Sequence, residues 1–547
     1  MSTVVAPLPP PVQPSADDAS ARWSRSAWIP VASVGGVILL AIWNSYHKSL
    51  WIDEAYALST ANRSLRGTWH QALHFEQQPP LYYVLLNLWI RLGPKTVHWM
   101  RALSTVCAAG CVLFVWTTRP HAASRRGVPA PILAMVTGTV VWAAAEARPY
   151  ALALFFSAWT MYFFVRILDR DDRSWRDAAL YAIGAYAGIL AFYYVGFLLA
   201  GQWVASVAVR RGWRRLTIAL AAVAVALAPW LPVVHDQLTE NVNPTPAVVF
   251  NPAMRFLAGG PATNLPSAFL AAMFGDAPVL TQTSFGTVVI GALLLLVVGL
   301  RFAVPDGRAP RVRDCVRLLS RRRPSDSQSP DQDAAASGWL EPALVITLAI
   351  PSICLLGLQA SNIVPVYPRH MVCLTAPFIL LCALWTAHIA PGIWRWVGGT
   401  AVLLAATLTL VSFERHVDVA DSRGAAAYVV AHGEPDEPVL VVGPEAVLAF
   451  RYYYSLDRGR AQVFGIPIDA PLDVYDPSRF DLHDTAQIGA RVRDARVQQR
   501  FWMVVSQGFV WRIGLADSIV TRYLRTHASV LDSADFTNMY VIHAVMR

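Results

Sequence analysis

The sequence has few charged residues, and long hydrophobic runs separate them. Asp, Glu, Lys and Arg make up 15% of its 547 residues, whereas hydrophobic residues make up 55%. Soluble chains carry about 25% charged residues. Several of the apolar runs approach the roughly 20 residues that a helix needs to cross a bilayer. The composition excludes an ordinary soluble protein and predicts a polytopic membrane protein.

Cysteine is also scarce, and the six cysteines form neither a zinc-binding pattern nor a disulfide framework. Neither of the glycine-rich nucleotide-binding fingerprints is present. The formal net charge is +9, but the basic residues cluster in short loops between apolar runs, where the positive-inside rule places them. The sequence therefore predicts no nucleic-acid partner and no nucleotide site.

The apolar runs predict about eleven transmembrane helices, with the N-terminus in the cytoplasm. Residues 1–27 are predicted to be a disordered cytoplasmic tail, and residues 301–338 a basic cytoplasmic linker. Residues 51–94 are predicted to form a first external loop, whose segment 79–92 is too short to span and is interpreted as an interfacial helix. With this assignment every strongly basic loop falls on one side. The predicted spans are residues 28–46, 98–116, 128–144, 150–165, 177–191, 194–209, 216–234, 285–300, 340–358, 367–390 and 393–413.

From residue 414 the composition becomes that of a soluble domain. Strands are predicted to alternate with helices there, which favours a small α/β domain at 414–547. The predicted fold class is thus an all-α polytopic membrane protein, with its transmembrane part at 28–413, followed by a small external α/β domain. The predicted strands are residues 438–442, 501–505 and 539–545, and the predicted helices are residues 424–432 and 484–499.

Two adjacent carboxylates, Asp53 and Glu54, follow the first predicted span. A charge at the bilayer centre costs roughly 2.5–3.5 kcal/mol, so both must face water or a polar cavity at the membrane surface. They are either an acid pair satisfied by loop amides, or a general base or metal ligand. Adjacent helical residues diverge by about 100°, so only one can point at a given substrate atom. Asp53 is the predicted catalytic base with Glu54 in support, and Asp53 is also the candidate ligand for a divalent cation such as Mg²⁺ or Mn²⁺.

The same loop carries His74, Glu76 and Tyr83 around a Gln-Pro-Pro-Leu-Tyr-Tyr stretch. An interfacial helix with tyrosines in the aromatic belt explains the prolines and Tyr83 without any ligand. His74 and Glu76 share the loop with Asp53 and can bind phosphate, a metal or sugar hydroxyls. All three are candidate substrate-binding residues.

Arg148 lies on the predicted external side, within Glu146-Ala-Arg-Pro-Tyr150. The positive-inside rule disfavours arginine there, so Arg148 requires a partner. That partner is either Glu146 or Asp53 in an intramolecular pair, or an anionic phosphate, which a guanidinium binds in two places. Glu146, Arg148 and Tyr150 are predicted to contact substrate, Tyr150 by stacking on a sugar or a polyprenyl chain.

Arg369 and His370 form a second external cationic pair just before a late span. Two cationic sites and a carboxylate on one face suit a reaction in which a phosphate departs. Cations stabilise the departing phosphate while the carboxylate deprotonates the acceptor. Both residues are therefore candidate substrate-binding residues.

Taken together, these motifs resemble the GT-C superfamily of integral membrane glycosyltransferases, near the bacterial branch related to protein O-mannosyltransferases and aminoarabinose transferases. The resemblance covers the predicted transmembrane part and implies that Asp53 is the catalytic acidic residue. It also implies that Arg148 and Arg369 lie near the phosphate of a polyprenyl-phosphate sugar donor. The chain departs from many relatives at Gln78, where they have His, and at His370, where they have Tyr.

The predicted function is transfer of a sugar from a polyprenyl phosphate to a lipid, glycan or protein acceptor at the external, periplasmic face of the cytoplasmic (inner) membrane. The N-terminus would be cytoplasmic, the C-terminal domain external, and membrane lipids would surround the spans. A lipid-linked-sugar flippase or transporter predicts ionisable residues inside several spans, and the predicted spans are almost purely apolar. An oligosaccharide ligase usually pairs arginines in a large late external loop, whereas residues 235–284 contain only Arg255.

Overall fold

The structure, a computed structural model, is mostly helical and ends in a β-sheet region. It describes the residues in nine ranges: 16–118, 127–170, 175–240, 284–305, 338–360, 368–416, 419–470, 482–506 and 513–547. The first helices in chain order are α1 (Ala16–His47), α2 (Ile52–Ala61), α3 (Leu65–His74), α4 (Leu81–Arg91), α5 (Val97–Thr117), α6 (Ala130–Val136), α7 (Gly138–Ala145), α8 (Tyr150–Asp169), α9 (Trp175–Ala191), α10 (Val195–Ala208), α11 (Trp213–Leu227) and α12 (Leu231–Glu240). The later ones are α13 (Ser284–Ala303), α14 (Leu340–Ala360), α15 (Thr375–His388), α16 (Ile393–His416), α17 (Ser422–His432), α18 (Pro444–Leu456), α19 (Thr485–Asp494) and α20 (Ile513–His527).

Six helical segments of the described chain are long and apolar enough to cross a membrane: Trp28–His47, Val97–Thr117, Tyr150–Asp169, Trp213–Gln237, Arg369–His388 and Ile393–Val411. Three shorter apolar helices accompany them, at Val195–Ala208, Val289–Ala303 and Leu340–Leu355. The chain is an integral membrane protein. Helices occupy all eleven positions at which spans were predicted, but the count of eleven spans stays a prediction.

The span predicted at 128–144 is two short helices, α6 and α7, and not one. Thr137 between them has an extended backbone (φ −80°, ψ 119°), which interrupts the helical ladder. Its hydroxyl donates to the Leu133 carbonyl at 2.6 Å, so the break is partly satisfied inside the chain. Unpaired backbone groups are costly in lipid, and such breaks persist only where other groups pair with them.

The segment predicted to be the first external loop folds into three short helices, α2, α3 and α4, which pack on one another. The segment predicted to be an interfacial helix is α4, with 11 residues. It is shorter than a span, and it buries Tyr82, Tyr83 and Leu86. Helix α4 contacts α2, α3 and α5, so the three short helices form one packed unit against α5.

The C-terminal region contains one five-stranded sheet, whose strands are β1 (Val439–Val442), β2 (Val463–Ile466), β3 (Arg500–Ser506), β4 (Ala528–Phe536) and β5 (Met539–Met546). Their order in the sheet is β2-β1-β3-β5-β4. Strands β2, β1 and β3 pair in parallel, whereas β5 runs antiparallel to both β3 and β4. All three predicted strands are present, together with two that the pattern did not indicate.

Two segments that were predicted to be irregular, the N-terminal tail and the basic linker, are partly helical. Helix α1 starts at Ala16, so residues 16–27 of the predicted disordered tail are helical. The first residues of the predicted linker, 301–305, complete α13 and pair with the chain near Ile389. Residues 1–15 and 306–337 of these two predictions lie outside the described residues.

Arg301 illustrates why the linker prediction was wrong at its start. Its Nη2 donates to Glu341 Oε2 at 2.8 Å, and both side chains are buried. The same carboxylate accepts hydrogen bonds from Trp385 Nε1 at 3.0 Å and contacts His388 Nδ1 at 3.2 Å. Arg301, which the sequence assigns to a basic loop, therefore belongs to a buried set of contacts that joins three helices, α13, α14 and α15.

We expect Glu341→Leu to destabilise the protein by about 3–5 kcal/mol, because it leaves the buried Arg301 guanidinium without its counter-charge. The double variant Arg301→Met, Glu341→Leu should recover much of this loss, since apolar side chains of similar volume often replace a buried pair at little cost. Thermal unfolding of the purified variants in detergent measures both. A double variant no more stable than the single one would contradict the assignment.

Candidate functional site

The two carboxylates that the sequence placed together have different surroundings. Glu54 is fully buried and accepts from Arg101 Nε at 2.8 Å and from Arg101 Nη2 at 2.6 Å. The backbone N–H groups of Trp51 and Ala147 also donate to it, at 3.1 and 2.8 Å. Both carboxylate oxygens are therefore occupied by protein donors. The supporting role of Glu54 in catalysis stays a prediction, and these contacts favour a structural role.

Asp53 lies one residue earlier on α2 and faces Arg148. Arg148 Nη2 is 3.6 Å from Asp53 Oδ2, and Arg148 Nη1 donates to the Asp53 carbonyl at 3.3 Å. The Asp53 side chain keeps 28% of its surface exposed, whereas that of Arg148 keeps 9%. Asp53 is therefore both held by a buried cation and open to a ligand.

Glu76 and Tyr83 complete this cluster, which we call the Arg148 cluster (Asp53, Glu76, Tyr83 and Arg148). Arg148 Nη1 donates to Glu76 Oε2 at 3.0 Å and to the Tyr83 hydroxyl at 3.2 Å. The Tyr83 hydroxyl itself donates to Glu76 Oε2 at 3.0 Å. Of the two roles left open for Arg148, these contacts favour intramolecular pairing, with Asp53 and Glu76 in place of Glu146.

A turn of the backbone places Glu76 in the Arg148 cluster. The next residue, Gln77, has a left-handed backbone (φ 50°), which few residues other than glycine adopt. The chain turns there before the two prolines, and Thr60 Oγ1 donates to the other Glu76 oxygen at 3.1 Å. Burial raises the pKa of Glu76, although the adjacent Arg148 guanidinium acts in the opposite direction.

Glu146 lies at the end of α7 and is buried without a salt bridge in the described part of the chain. Trp142 Nε1 donates to its Oε1, while its Oε2 is sealed from solvent and has no hydrogen-bond partner among the described residues. Burial, and next the negative charge of Glu54, raise the pKa of Glu146 to about 8. At neutral pH the group is therefore largely a neutral carboxylic acid.

An aromatic series joins this region to the late cationic pair. Tyr150 stacks on Trp142 with ring centroids 4.7 Å apart, and its other neighbour is Phe192 at 5.8 Å. The ionisable groups of Asp53, Glu146, Arg148 and Arg369 lie close to Tyr150. The structure thus brings Arg369, which is far away in sequence, close to Tyr150 and the other candidate site residues.

His370 belongs to the same aromatic series. Its ring stacks on Tyr194 with centroids 4.2 Å apart and lies 6.3 Å from Phe192. This places His370 beside the site as a packed aromatic group. Its predicted role in binding substrate stays a prediction.

His74 does not join the site. It is exposed at the end of α3, and its ring contacts His70 with centroids 4.3 Å apart. Within the described ranges, no group of three or more His, Cys, Asp or Glu side chains is placed to share a metal ion. Asp53 is the carboxylate of the cluster with exposed surface, so a divalent cation there would take its other ligands from substrate or water and stays a prediction.

Sequence reasoning missed Arg101, which lies near the start of the predicted span 98–116. An ionisable residue within a transmembrane helix pairs with another charged or polar group. That rule could have indicated Glu54 as the partner of Arg101. It also missed Tyr453, whose hydroxyl accepts the Leu50 N–H at 2.8 Å. No sequence signal connects two positions 403 residues apart.

We expect Glu54→Gln to lower the free energy of unfolding by about 3–5 kcal/mol, because it leaves Arg101 buried without a counter-charge. Asp53→Asn should change it by less than about 1 kcal/mol, since a partly exposed ion pair contributes little. Thermal unfolding of the two purified variants provides the comparison. Equal loss in both would show that the two acids do not differ as the contacts indicate.

Replacement of Glu146 by Gln should mimic the neutral acid and make stability less dependent on pH. Because the folded-state pKa of about 8 lies above the ordinary value of 4.5, the wild type loses stability as the pH rises between these values. The loss approaches about 1.4 kcal/mol per pH unit in mid-window. In thermal unfolding, the stability of Glu146→Gln relative to the wild type should therefore rise from pH 5 to 8 and stay constant above pH 8. A difference that is independent of pH would overturn the assignment.

No protein-family model matches the chain, and no curated protein matches it either. Solved structures do resemble it. ArnT from Cupriavidus metallidurans in the apo state is 14% identical, with a TM-score of 0.44 over 95% of this chain and 98% of that one. A second structure of ArnT is bound to undecaprenyl phosphate. The archaeal oligosaccharyltransferase AglB from Archaeoglobus fulgidus, in complex with an inhibitory peptide and a dolichol-phosphate, is 10% identical, with a TM-score of 0.45 over 95% of this chain and 74% of that one.

The arabinofuranosyltransferase AftD from Mycobacteria is 15% identical, with a TM-score of 0.43 over 94% of this chain and 41% of that one. These structural neighbours are GT-C glycosyltransferases, as the sequence motifs predicted.

Proposed function

We propose that the protein is an inverting membrane glycosyltransferase that moves a sugar from a polyprenyl phosphate to a lipid, glycan or protein acceptor. The observation that carries the proposal is the difference among three neighbouring carboxylates. The side chains of Glu54 and Glu76 are 0% and 5% exposed, and protein donors occupy them, whereas that of Asp53 is 28% exposed. Asp53 is thus the carboxylate of this group that an acceptor can reach.

In the proposed reaction Asp53 is the general base. One carboxylate oxygen accepts the proton of the acceptor O–H or N–H, and the acceptor atom forms a bond to the anomeric carbon. The bond between that carbon and the phosphate oxygen breaks, and polyprenyl phosphate departs with the electron pair. A single displacement inverts the anomeric centre. A positioned base contributes about 10²–10⁴-fold to such a step.

The orientation of Asp53 is the proposed contribution of Arg148. A guanidinium that contacts both Asp53 and Glu76 fixes the carboxylate by its planar, forked geometry. Good geometry between the reacting groups is a large part of catalysis, because it replaces a bimolecular encounter. Arg148 therefore acts on the base and not chiefly on the donor phosphate.

The donor phosphate is proposed to bind near Arg369. This residue interacts electrostatically with Tyr150, which in turn interacts with Asp53. A cation on that side stabilises the negative charge that develops on the departing phosphate. Tyr194 and His370, the partly exposed members of the aromatic series, would contact the sugar or the first isoprene units of the polyprenyl chain.

The proposed location of the site is the external face of the cytoplasmic membrane, with eleven spans and an external C-terminal domain. This orientation rests on the distribution of basic loops. Helices α2, α3 and α4 cover the transmembrane bundle on the side of Asp53. A lipid-linked donor can then enter from the membrane while the acceptor approaches from the aqueous side.

We expect Asp53→Asn to lower sugar transfer by at least about 10²-fold, because it removes the proton acceptor and keeps the shape of the side chain. Purified protein is given a panel of polyprenyl-phosphate sugars, with lipid extracts and peptides as acceptors. Release of polyprenyl phosphate and labelling of the acceptor are measured together. Arg369→Ala should instead weaken donor binding, which is seen as a higher KM for the donor.

The matched control is Asp457→Asn, the same substitution at an exposed position in the C-terminal region. It should leave transfer at the wild-type level. Full transfer by Asp53→Asn would end the proposal for the base. Movement of the donor across liposomes without any transfer, equal in wild type and Asp53→Asn, would favour a flippase.

A further inference from the structure

The segment between α1 and α2 leads directly to Asp53, and the chain holds it from two sides. We call residues 48–51 the approach segment. On its inner side Arg101 Nη1 donates to the Lys48 carbonyl and Arg101 Nη2 to the Ser49 carbonyl, each at 3.0 Å. The same guanidinium binds Glu54. One buried cation thus holds both the approach segment and the first turn of α2.

On its outer side the approach segment contacts the C-terminal region. The Leu50 N–H donates to the Tyr453 hydroxyl at 2.8 Å, in a buried hydrogen bond. Ser49 Oγ donates to Asp421 Oδ1 at 2.9 Å. Both Leu50 and Tyr453 are buried, so water cannot readily replace the tyrosine hydroxyl.

The outer contacts come from well-supported groups. Asp421 is the N-cap of α17 and also accepts the Gly424 N–H at 2.9 Å. Tyr453 lies on α18, and the Arg423 guanidinium is 5.2 Å from its ring centre. A capped helix and a buried tyrosine are rigid, so they can fix the position of the segment that they bind.

We propose that Tyr453 is a positioning residue through which the C-terminal region sets the place of Asp53 relative to Arg148. Leu50 is three residues before Asp53, and α2 begins at Ile52. A shift of the Leu50 backbone is therefore transmitted into the first turn of the helix that carries Asp53. The inference rests on the proposed function, because it assigns Tyr453 a role in that same site.

Loss of the tyrosine hydroxyl leaves the buried Leu50 N–H without its acceptor, and such groups are strongly disfavoured. We expect the approach segment to move toward another partner and to carry Asp53 away from its best geometry. A misplacement of about 1 Å can lower a rate about 10²-fold. The donor should bind nearly as before, since its phosphate is held elsewhere.

The test compares Tyr453→Phe with its neighbour Tyr452→Phe. The Tyr452 hydroxyl also accepts a backbone N–H across the same contact, that of Val97 at 3.0 Å, but at α5 and not at the approach segment. Tyr453→Phe should lower kcat about 10- to 100-fold, with the donor KM changed less than about twofold. Tyr452→Phe should leave both near the wild-type values.

Hydrogen exchange of the amides at residues 49–56 is measured on the same full-length samples. We expect faster exchange in Tyr453→Phe than in Tyr452→Phe or the wild type. A merely structural role would lower the amount of folded protein in both variants and would not separate kcat from KM. If Tyr453→Phe does not fold, Ser49→Ala removes the bond to Asp421 from the other side of the contact and should show a smaller loss of kcat.

Equal kcat and equal exchange in the two tyrosine variants would overturn the positioning role. A different outcome isolates the proposed function. If the wild type transfers no sugar but exchange at residues 49–56 rises only in Tyr453→Phe, the positioning contact stands and the glycosyltransferase proposal has failed.

Discussion

The buried ion pair between Arg101 and Glu54 is the constraint on which the candidate site depends. Glu54 is fully buried and Arg101 nearly so, and two such charges are stable in low dielectric only with complete hydrogen bonding. Arg101 reaches this by also binding carbonyls of the approach segment, and Glu54 by accepting the Ala147 N–H. The pair therefore ties together α2, α5 and the turn that precedes α8. Asp53 and Arg148 lie one residue from these tied points.

This arrangement gives the adjacent acids Asp53 and Glu54 different roles. Glu54 is satisfied on every side, so it fixes the backbone and offers nothing to a ligand. Asp53 points away from it by the helical turn and meets a guanidinium while it keeps exposed surface. Glu146, which has no salt bridge in the described chain, can stay neutral and so adds no repulsion to this acidic neighbourhood. Three carboxyl groups within a small volume are thus compatible because each has a different charge environment.

Much of the fold could be predicted from the sequence, because hydrophobic periodicity and loop charge are local signals. The helices at all eleven predicted span positions, the short helix α4 and the strands β1, β3 and β5 came from such signals. The strand β4 was missed since its sequence is polar and much of it is exposed, as expected of an edge strand. The break at Thr137 was missed because one threonine in an apolar run carries no strong signal against a helix.

The site was only partly predictable, for a different reason. The sequence named the members of the Arg148 cluster, since polar residues beside spans are conspicuous, but it could not pair them. It left Arg148 between an intramolecular pair and a phosphate, and contacts between positions about 70 to 95 residues apart favour the intramolecular pair. His74 shares a loop with Asp53 and still faces away, because proximity in sequence does not fix the face of a helix. Arg301 was assigned to a loop and is a buried ion-pair partner.

Contacts from the C-terminal region also constrain the candidate site. A general base at a membrane surface has to keep its geometry although the surrounding lipid and water impose none. Two sets of contacts hold the approach segment. Arg101 of α5 binds it on one side, and the Tyr453 hydroxyl and the Asp421 carboxylate bind it on the other. Because these two sets act on the same few peptide groups, displacement of either one moves α2. If the proposed function is correct, the C-terminal region is part of the framework of the active site, even though none of its side chains belongs to the Arg148 cluster.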